Sequence, residues 1–157
     1  MTPWRIAAVI VAVGLVVVYA IGSGRWVSTG SAWYQSLKQP AWQPPGAVFG
    51  LAWTYNFVAL GVVGVAMSLG APAGRVGTFL AALGLTIALA IGWAYLFYVP
   101  HALVPAAVAL TACTLLTLLP LALAFAERPW LGWVLLPYQA WLLVATSLSW
   151  GYVTLSR

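Results

Sequence analysis

Acidic side chains are all but missing from this sequence: Glu127 is the single one among 157 residues, and charged residues of both signs make up only 4%. Soluble domains devote roughly a quarter of their residues to charge, so this chain cannot clothe a water-facing surface. Its six basic residues, Arg5, Arg25, Lys38, Arg75, Arg128 and Arg157, are scattered. With no basic run or stripe, nucleic-acid binding is not expected; lipid headgroups at the ends of spans are the expected surroundings of these charges. Cysteine is confined to Cys113, inside an apolar run, which leaves no disulfide framework. Histidine is confined to His101, at a predicted bilayer edge. One His, one Cys and two Met at unrelated positions do not assemble a metal site, and axial haem ligation by His101 or Met67 is not expected either. Apart from Arg5 at the outer edge of the first, no Asp, Glu, Lys or Arg falls within a predicted span, so a proton-coupled transporter lacks its usual parts. No Ser or Thr has a partner base in its span, which removes hydrolysis. Residue types thus predict no catalytic set, no metal and no cofactor.

What the chain has is apolar length. It is 64% hydrophobic, and a crossing helix needs about 20 apolar residues. Uncharged stretches predict an all-α integral membrane bundle of five spans, over about 5–22, 46–69, 76–98, 102–126 and 129–153, in a single domain. The N-terminal run resembles a signal peptide (Arg5, then apolar residues, then Ala20 and Gly22) but is expected to stay as the first helix. Residues 23–45, with Pro40, Pro44 and Pro45, form a long first loop. The uncharged stretch from Val76 to Ala126 is twice too long for one crossing. Val99-Pro100-His101, with Pro105 behind, is its natural break. Pro120 and Pro137 inside spans four and five are expected to free the carbonyls of Leu116 and Trp133 and to kink their helices. Three basic residues flank each face, so charge does not orient the protein. Span three carries a row of small residues, Ala73, Gly77, Ala81, Gly84, Ala88 and Gly92. Such rows let helices approach closely, within the bundle or across a homodimer face; a homodimer through this helix is the expectation.

Aromatic residues are in excess, with ten Trp. Trp4, Trp26, Trp130, Trp133 and Trp150 lie near span ends, as an interfacial belt requires. Trp53 and Trp141 do not: at 1.5 Å per residue they lie roughly 10 Å and 18 Å into their spans. Phe49, Trp53 and Phe57 share one helical stripe, Trp93 and Phe97 another, and Tyr138, Trp141 and Ala145 a third. If the stripes converge, they line an apolar aromatic cavity under the first loop, the usual character of a small-molecule site. Trp33 and Tyr34 on the loop could close over it as a lid. Aromatics that simply fill the bundle core are the alternative.

The run Trp33-Tyr34-x-x-Leu37-Lys38-x-Pro40-x-Trp42-x-Pro44-Pro45-x-x-Val48-Phe49-x-x-x-Trp53 resembles the signature of the translocator protein family, the tryptophan-rich sensory proteins (TspO, peripheral benzodiazepine receptor). Trp93-x-x-Leu96-Phe97-Tyr98 is similar to that family's third-helix segment. Pro137-Tyr138-x-x-Trp141-x-x-x-Ala145-Thr146-x-Leu148 is similar to its fifth-helix motif. Ala90 and Ser149 stand where the family usually has Asn, a difference that bears on which ligand fits. The resemblance implies a five-helix membrane receptor or sensor, in the cell membrane if the source is bacterial. Its ligands would be porphyrins, notably protoporphyrin IX, and sterol-like or other apolar aromatic molecules; its form would be a homodimer. A flat porphyrin would stack on Trp53, Trp93 and Trp141. Leu148-x-x-x-Tyr152-x-x-x-x-Arg157 fits the family's loose sterol pattern, and equally an anchor at a span end. The family also implies a rival reading, light- and oxygen-dependent porphyrin degradation with Trp53 and Trp141 taking part. Passive porphyrin or lipid transport is a third.

Overall fold

A computed structural model describes residues 1–156 of the chain. It contains seven helices and no strand among them: α1 (Pro3–Trp26), α2 (Ala32–Ser36), α3 (Gly46–Gly70), α4 (Ala73–Tyr98), α5 (Leu103–Leu116), α6 (Leu118–Glu127) and α7 (Pro129–Leu155). Helices α1, α3, α4 and α7 each form one span long and apolar enough to cross a membrane, and α5 with α6 forms the remaining one. The protein is an integral, multi-pass membrane bundle. Its large exposed side chains are apolar, with Ile10 66%, Leu51 74% and Leu115 63% exposed. A continuous surface of this kind needs hydrocarbon as its solvent.

The five spans close into a ring. Helix α1 packs on α3 and α4, α4 on α5, α5 on α7, and α7 on α3. Close approach is bought with small residues: a Cβ on Gly64 of α3 would lie 3.1 Å from the Cβ of Ala12 on α1. At the α6–α7 turn a Cβ on Gly132 would lie 2.1 Å from Phe125 Cγ, so only glycine lets this hairpin close.

Several boundaries differ from the sequence expectation, each for a local reason. Helix α1 continues through Gly22 and Gly24 to Trp26, because nothing after the hydrocarbon edge forces a stop before Val27 turns extended. Helix α4 begins at Ala73 behind Pro72 as its N-cap, so Arg75 lies in the first turn rather than before it. Arg75 Nη1 donates to Glu127 Oε2 at 2.6 Å, tying the start of α4 to the end of α6. The fourth span is interrupted at Thr117, three residues before Pro120; the Thr117 hydroxyl donates to the Cys113 carbonyl at 2.7 Å beside the break. Pro137 lies within an unbroken α7. On this face Arg5 donates to the terminal carbonyls of α3, at Ser68 (3.0 Å) and Leu69. It thereby satisfies acceptors that a helix end leaves open.

The first loop is not irregular throughout. Residues Ala32–Ser36 form a short helix, whose N-cap Ser31 accepts from the Tyr34 N–H at 3.2 Å. Arg157, and with it the cationic end of the Leu148–Tyr152–Arg157 pattern, lies outside the described residues.

Candidate functional site

The loop is fastened over the bundle at two places. At the first, α2 docks on the α4–α5 turn. His101 occupies the left-handed region there with φ of 57°, and its ring stacks on Trp33 at 3.8 Å and 11°. Trp33 also meets the edge of Phe97 at 5.4 Å. At the second, residues 40–43 lie on α7. Trp42 Nε1 donates to Ser147 Oγ at 3.2 Å. Gly151 gives room for Pro40, since a Cβ there would lie 2.7 Å from Pro40 Cγ and 3.0 Å from Trp42 Cζ2.

Between the two, three polar tips meet. The Tyr152 hydroxyl lies 3.1 Å from that of Tyr34 and donates to Gln43 Oε1. The Gln43 amide Nε2 in turn approaches Tyr34 Oη at 3.4 Å. Three donors and three acceptors thus close a ring of hydrogen bonds joining both halves of the loop to α7. Buried polar groups that satisfy one another in this way act as a latch.

Beneath the latch lies a cavity of about 50 Å³. Aromatic side chains dominate its wall: Tyr34 above, Phe49 from α3, Trp93, Phe97 and Tyr98 from α4, and Tyr152 from α7. Gln43, Ala145, Leu148 and Ser149 complete it. Trp93 Nε1 donates to Ser149 Oγ at 3.2 Å, so the hydroxyl at 149 holds the indole in the wall. Ala90 is buried one turn below Trp93 and presents only a methyl group.

The three predicted stripes all face inward, but not into one space. Tyr34, Phe49, Trp93, Phe97 and Ala145 line the cavity. Trp33 lies outside it, between Phe97 and His101. Trp53 and Phe57 pack around Tyr19 of α1, each at 5.5 Å edge to face, and stack on each other at 5.4 Å. Tyr138 joins the same cluster, its hydroxyl donating to that of Tyr19 at 3.2 Å. Tyr19 is wholly buried and fills the space that the stripes would otherwise enclose. Trp141 meets Phe49 edge to face at 5.2 Å, with its other side on the α3–α7 seam. Gln43 was not singled out by the sequence; Tyr98 and Leu148 stood in the family motifs, Ser149 as a departure from them and Tyr152 in the sterol pattern, but none of the four was expected as a lining residue.

The profile of the TspO/MBR family matches residues 7–155 of the chain. Among curated proteins, the chain is 31% identical over 124 residues to Protein CrtK of Rhodobacter capsulatus, across 75% of this chain and 74% of that one.

Proposed function

We propose, from the premise that this chain belongs to the TspO/MBR family, that it is a membrane receptor and sensor for protoporphyrin IX or a closely related flat tetrapyrrole, taken up beneath the first loop. The observation that carries this reading is the latched loop over an aromatic wall. At about 50 Å³ the cavity is far below the roughly 300–1,000 Å³ of ligand sites, so uptake requires the loop to lift. A loop whose position depends on occupancy is what a sensor needs in order to report its ligand. Sterol-like and other apolar aromatic molecules suit the same wall.

The test is a titration of purified protein with protoporphyrin IX, following Trp fluorescence in darkness and under illumination. Saturable quenching in darkness with the porphyrin spectrum preserved is the expected result. Loss of porphyrin absorbance confined to the light would move the assignment to the degradative reading, and flux across sealed vesicles would move it to passive transport. Absence of saturable quenching overturns the receptor.

The homodimer belongs to the same proposal, and the small-residue row on α4 supports it. Gly84 is used inside the bundle, its Cβ position lying 3.6 Å from Leu15 of α1. Ala73, Gly77, Ala81 and Ala88 are exposed, and a Cβ on Gly77 would meet nothing within 4 Å. Gly77→Leu and Ala88→Leu should therefore split a dimer without disturbing the fold. Cross-linking and light scattering in detergent check this; an unchanged oligomer in both variants removes the α4 interface.

A further inference from the structure

His101, the single histidine of the chain, is held in an unusual place. Its φ of 57° lies in the left-handed region, a strain that persists only where surrounding contacts over-determine it. Here the Ala102 N–H donates to the Leu96 carbonyl at 2.8 Å and the Leu103 N–H to the His101 carbonyl at 3.1 Å, closing the α4–α5 turn around the residue. The turn lays the imidazole flat on the indole of Trp33, with centroids 3.8 Å apart and planes within 11°. On another side the indole meets Phe97 edge to face at 5.4 Å. Trp33 is therefore gripped between a buried ring and a titratable one.

Imidazole is the side chain whose charge ordinarily changes between about pH 5 and 8, and His101 is exposed, so water can deliver the proton. Protonation at an exposed position buries no charge. It sets a cation against the face of an indole, well inside the roughly 6 Å over which the ring attracts it, and Trp is the strongest such partner. Neutral imidazole has stacking alone. Trp33 belongs to α2, and the next residue is Tyr34, whose hydroxyl is part of the latch. A firmer hold on the indole is thus a firmer hold on the loop.

We infer that the His101–Trp33 stack is a proton-operated catch on the first loop: imidazolium holds α2 down more firmly than neutral imidazole, so the loop closes more tightly as the pH falls from 8 to 5. Other groups nearby keep one charge state over this interval. Tyr34, Tyr98 and Tyr152, which meet there, are phenols, a class that ionises far above it; Tyr95 faces Trp26 instead. Lys38, just beyond α2, and Arg25, over Trp26 at 5.2 Å, are exposed cations throughout. The one acidic side chain, Glu127, is paired with Arg75 on the opposite face. The catch shares with the receptor reading the premise that the loop lifts, but does not depend on which molecule the loop admits.

The experiment reads loop position with no porphyrin present. Whole protein in phosphatidylcholine nanodiscs carries spin labels at Ala32→Cys on α2 and Leu155→Cys at the end of α7, both exposed. Cys113→Ala removes the native thiol, and Gln43→Leu slackens the latch so that seated and lifted forms coexist. The ratio of lifted to seated inter-label distances, from double electron–electron resonance, should fall about two- to fivefold from pH 8 to pH 5, as an exposed cation–π contact implies. His101→Asn keeps a residue that tolerates the left-handed turn but takes up no proton, so its ratio should be the same at both pH values. Trp33→Leu keeps an apolar side chain and removes the indole face, and its pH response should vanish as well. A parent ratio that is unchanged, a single distance at both pH values included, or that rises in acid overturns the catch. So does a pH response that survives in His101→Asn, which would place the titrating group elsewhere. Should Trp33→Leu fail to fold, His101→Asn decides. Since porphyrin takes no part, a failure here is distinct from a failure of the protoporphyrin titration.

Discussion

Trp93→Ala should weaken protoporphyrin IX binding by on the order of a hundredfold while leaving the bundle folded. Trp93 lines the latched cavity and touches Phe97 and Tyr98, at 5.8 Å and 6.3 Å between ring centroids. Covering an aromatic side chain contributes about 1.5–3 kcal/mol, and a well-oriented ring contact adds roughly 0.5–1.5 kcal/mol. At 1.4 kcal/mol per factor of ten, losing about 3 kcal/mol gives the expected change. Trp93→Phe keeps the stacking surface but leaves Ser149 without its indole donor. The net worth of one such hydrogen bond, about 0.5–1.5 kcal/mol, predicts a severalfold loss only.

Two controls separate the cavity from the rest of the tryptophans. Trp130 is 46% exposed at the opposite face, so Trp130→Ala should bind like the parent. Trp53→Ala removes a partner of Tyr19 and Phe57. Its principal effect should be a lower unfolding temperature, with the affinity of the folded fraction within a few-fold of the parent. Fluorescence titration alongside thermal unfolding by circular dichroism measures both quantities. Equal affinity of Trp93→Ala and Trp130→Ala would remove the cavity as the binding site.

The contrast between Trp53 and Trp93 shows what the sequence could and could not specify. Spans are legible because apolar length is a property of one segment, and so the five uncharged runs correspond to the five spanning units. The face of each helix is legible too, since Phe49, Trp53 and Phe57 recur every fourth residue. Which neighbour fills the space in front of that face is a property of two helices. Tyr19 lies in a span with no amphipathic pattern to announce that it points inward. From α1 it closes the lower half of the space and divides one expected cavity into a packed core and a small chamber. The aromatic pair Trp33 and Tyr34 on the loop was visible in the sequence, and Tyr34 reaches the cavity wall. The loop's fastening was not visible, because Gln43 and Tyr152 are 109 residues apart and meet only once the ring of helices has closed. Likewise His101 reads as a residue at the bilayer edge, whereas its role in the fold is to seat Trp33.

Gly151→Leu should accelerate porphyrin association by tenfold or more and accelerate dissociation as well. A Cβ at 151 would already crowd Pro40 at 2.7 Å and Trp42 at 3.0 Å. Leucine adds a branched tip that neither the proline ring nor the α7 backbone can yield to, so residues 40–42 must leave α7. Gln43 follows them, and the latch with Tyr34 and Tyr152 opens. A protein whose binding-competent form is a small fraction binds with an affinity reduced by that fraction, and a chamber of about 50 Å³ makes the closed form incompetent. Unseating the loop raises the competent fraction, which appears in the association rate. The same change removes the cover that Tyr34 gives the bound ligand, which appears in the dissociation rate, so the equilibrium constant moves less than either. Tyr152→Phe combined with Gln43→Leu provides the contrast. It removes the latch and leaves Gly151 and its seat intact, so association should quicken by a smaller factor while dissociation stays near that of the parent. Stopped-flow quenching of Trp fluorescence by protoporphyrin IX resolves both rates, with circular dichroism confirming that each variant remains helical. Parental association rates in both variants would mean that the loop does not gate the cavity and that ligand reaches the aromatic wall from the lipid side.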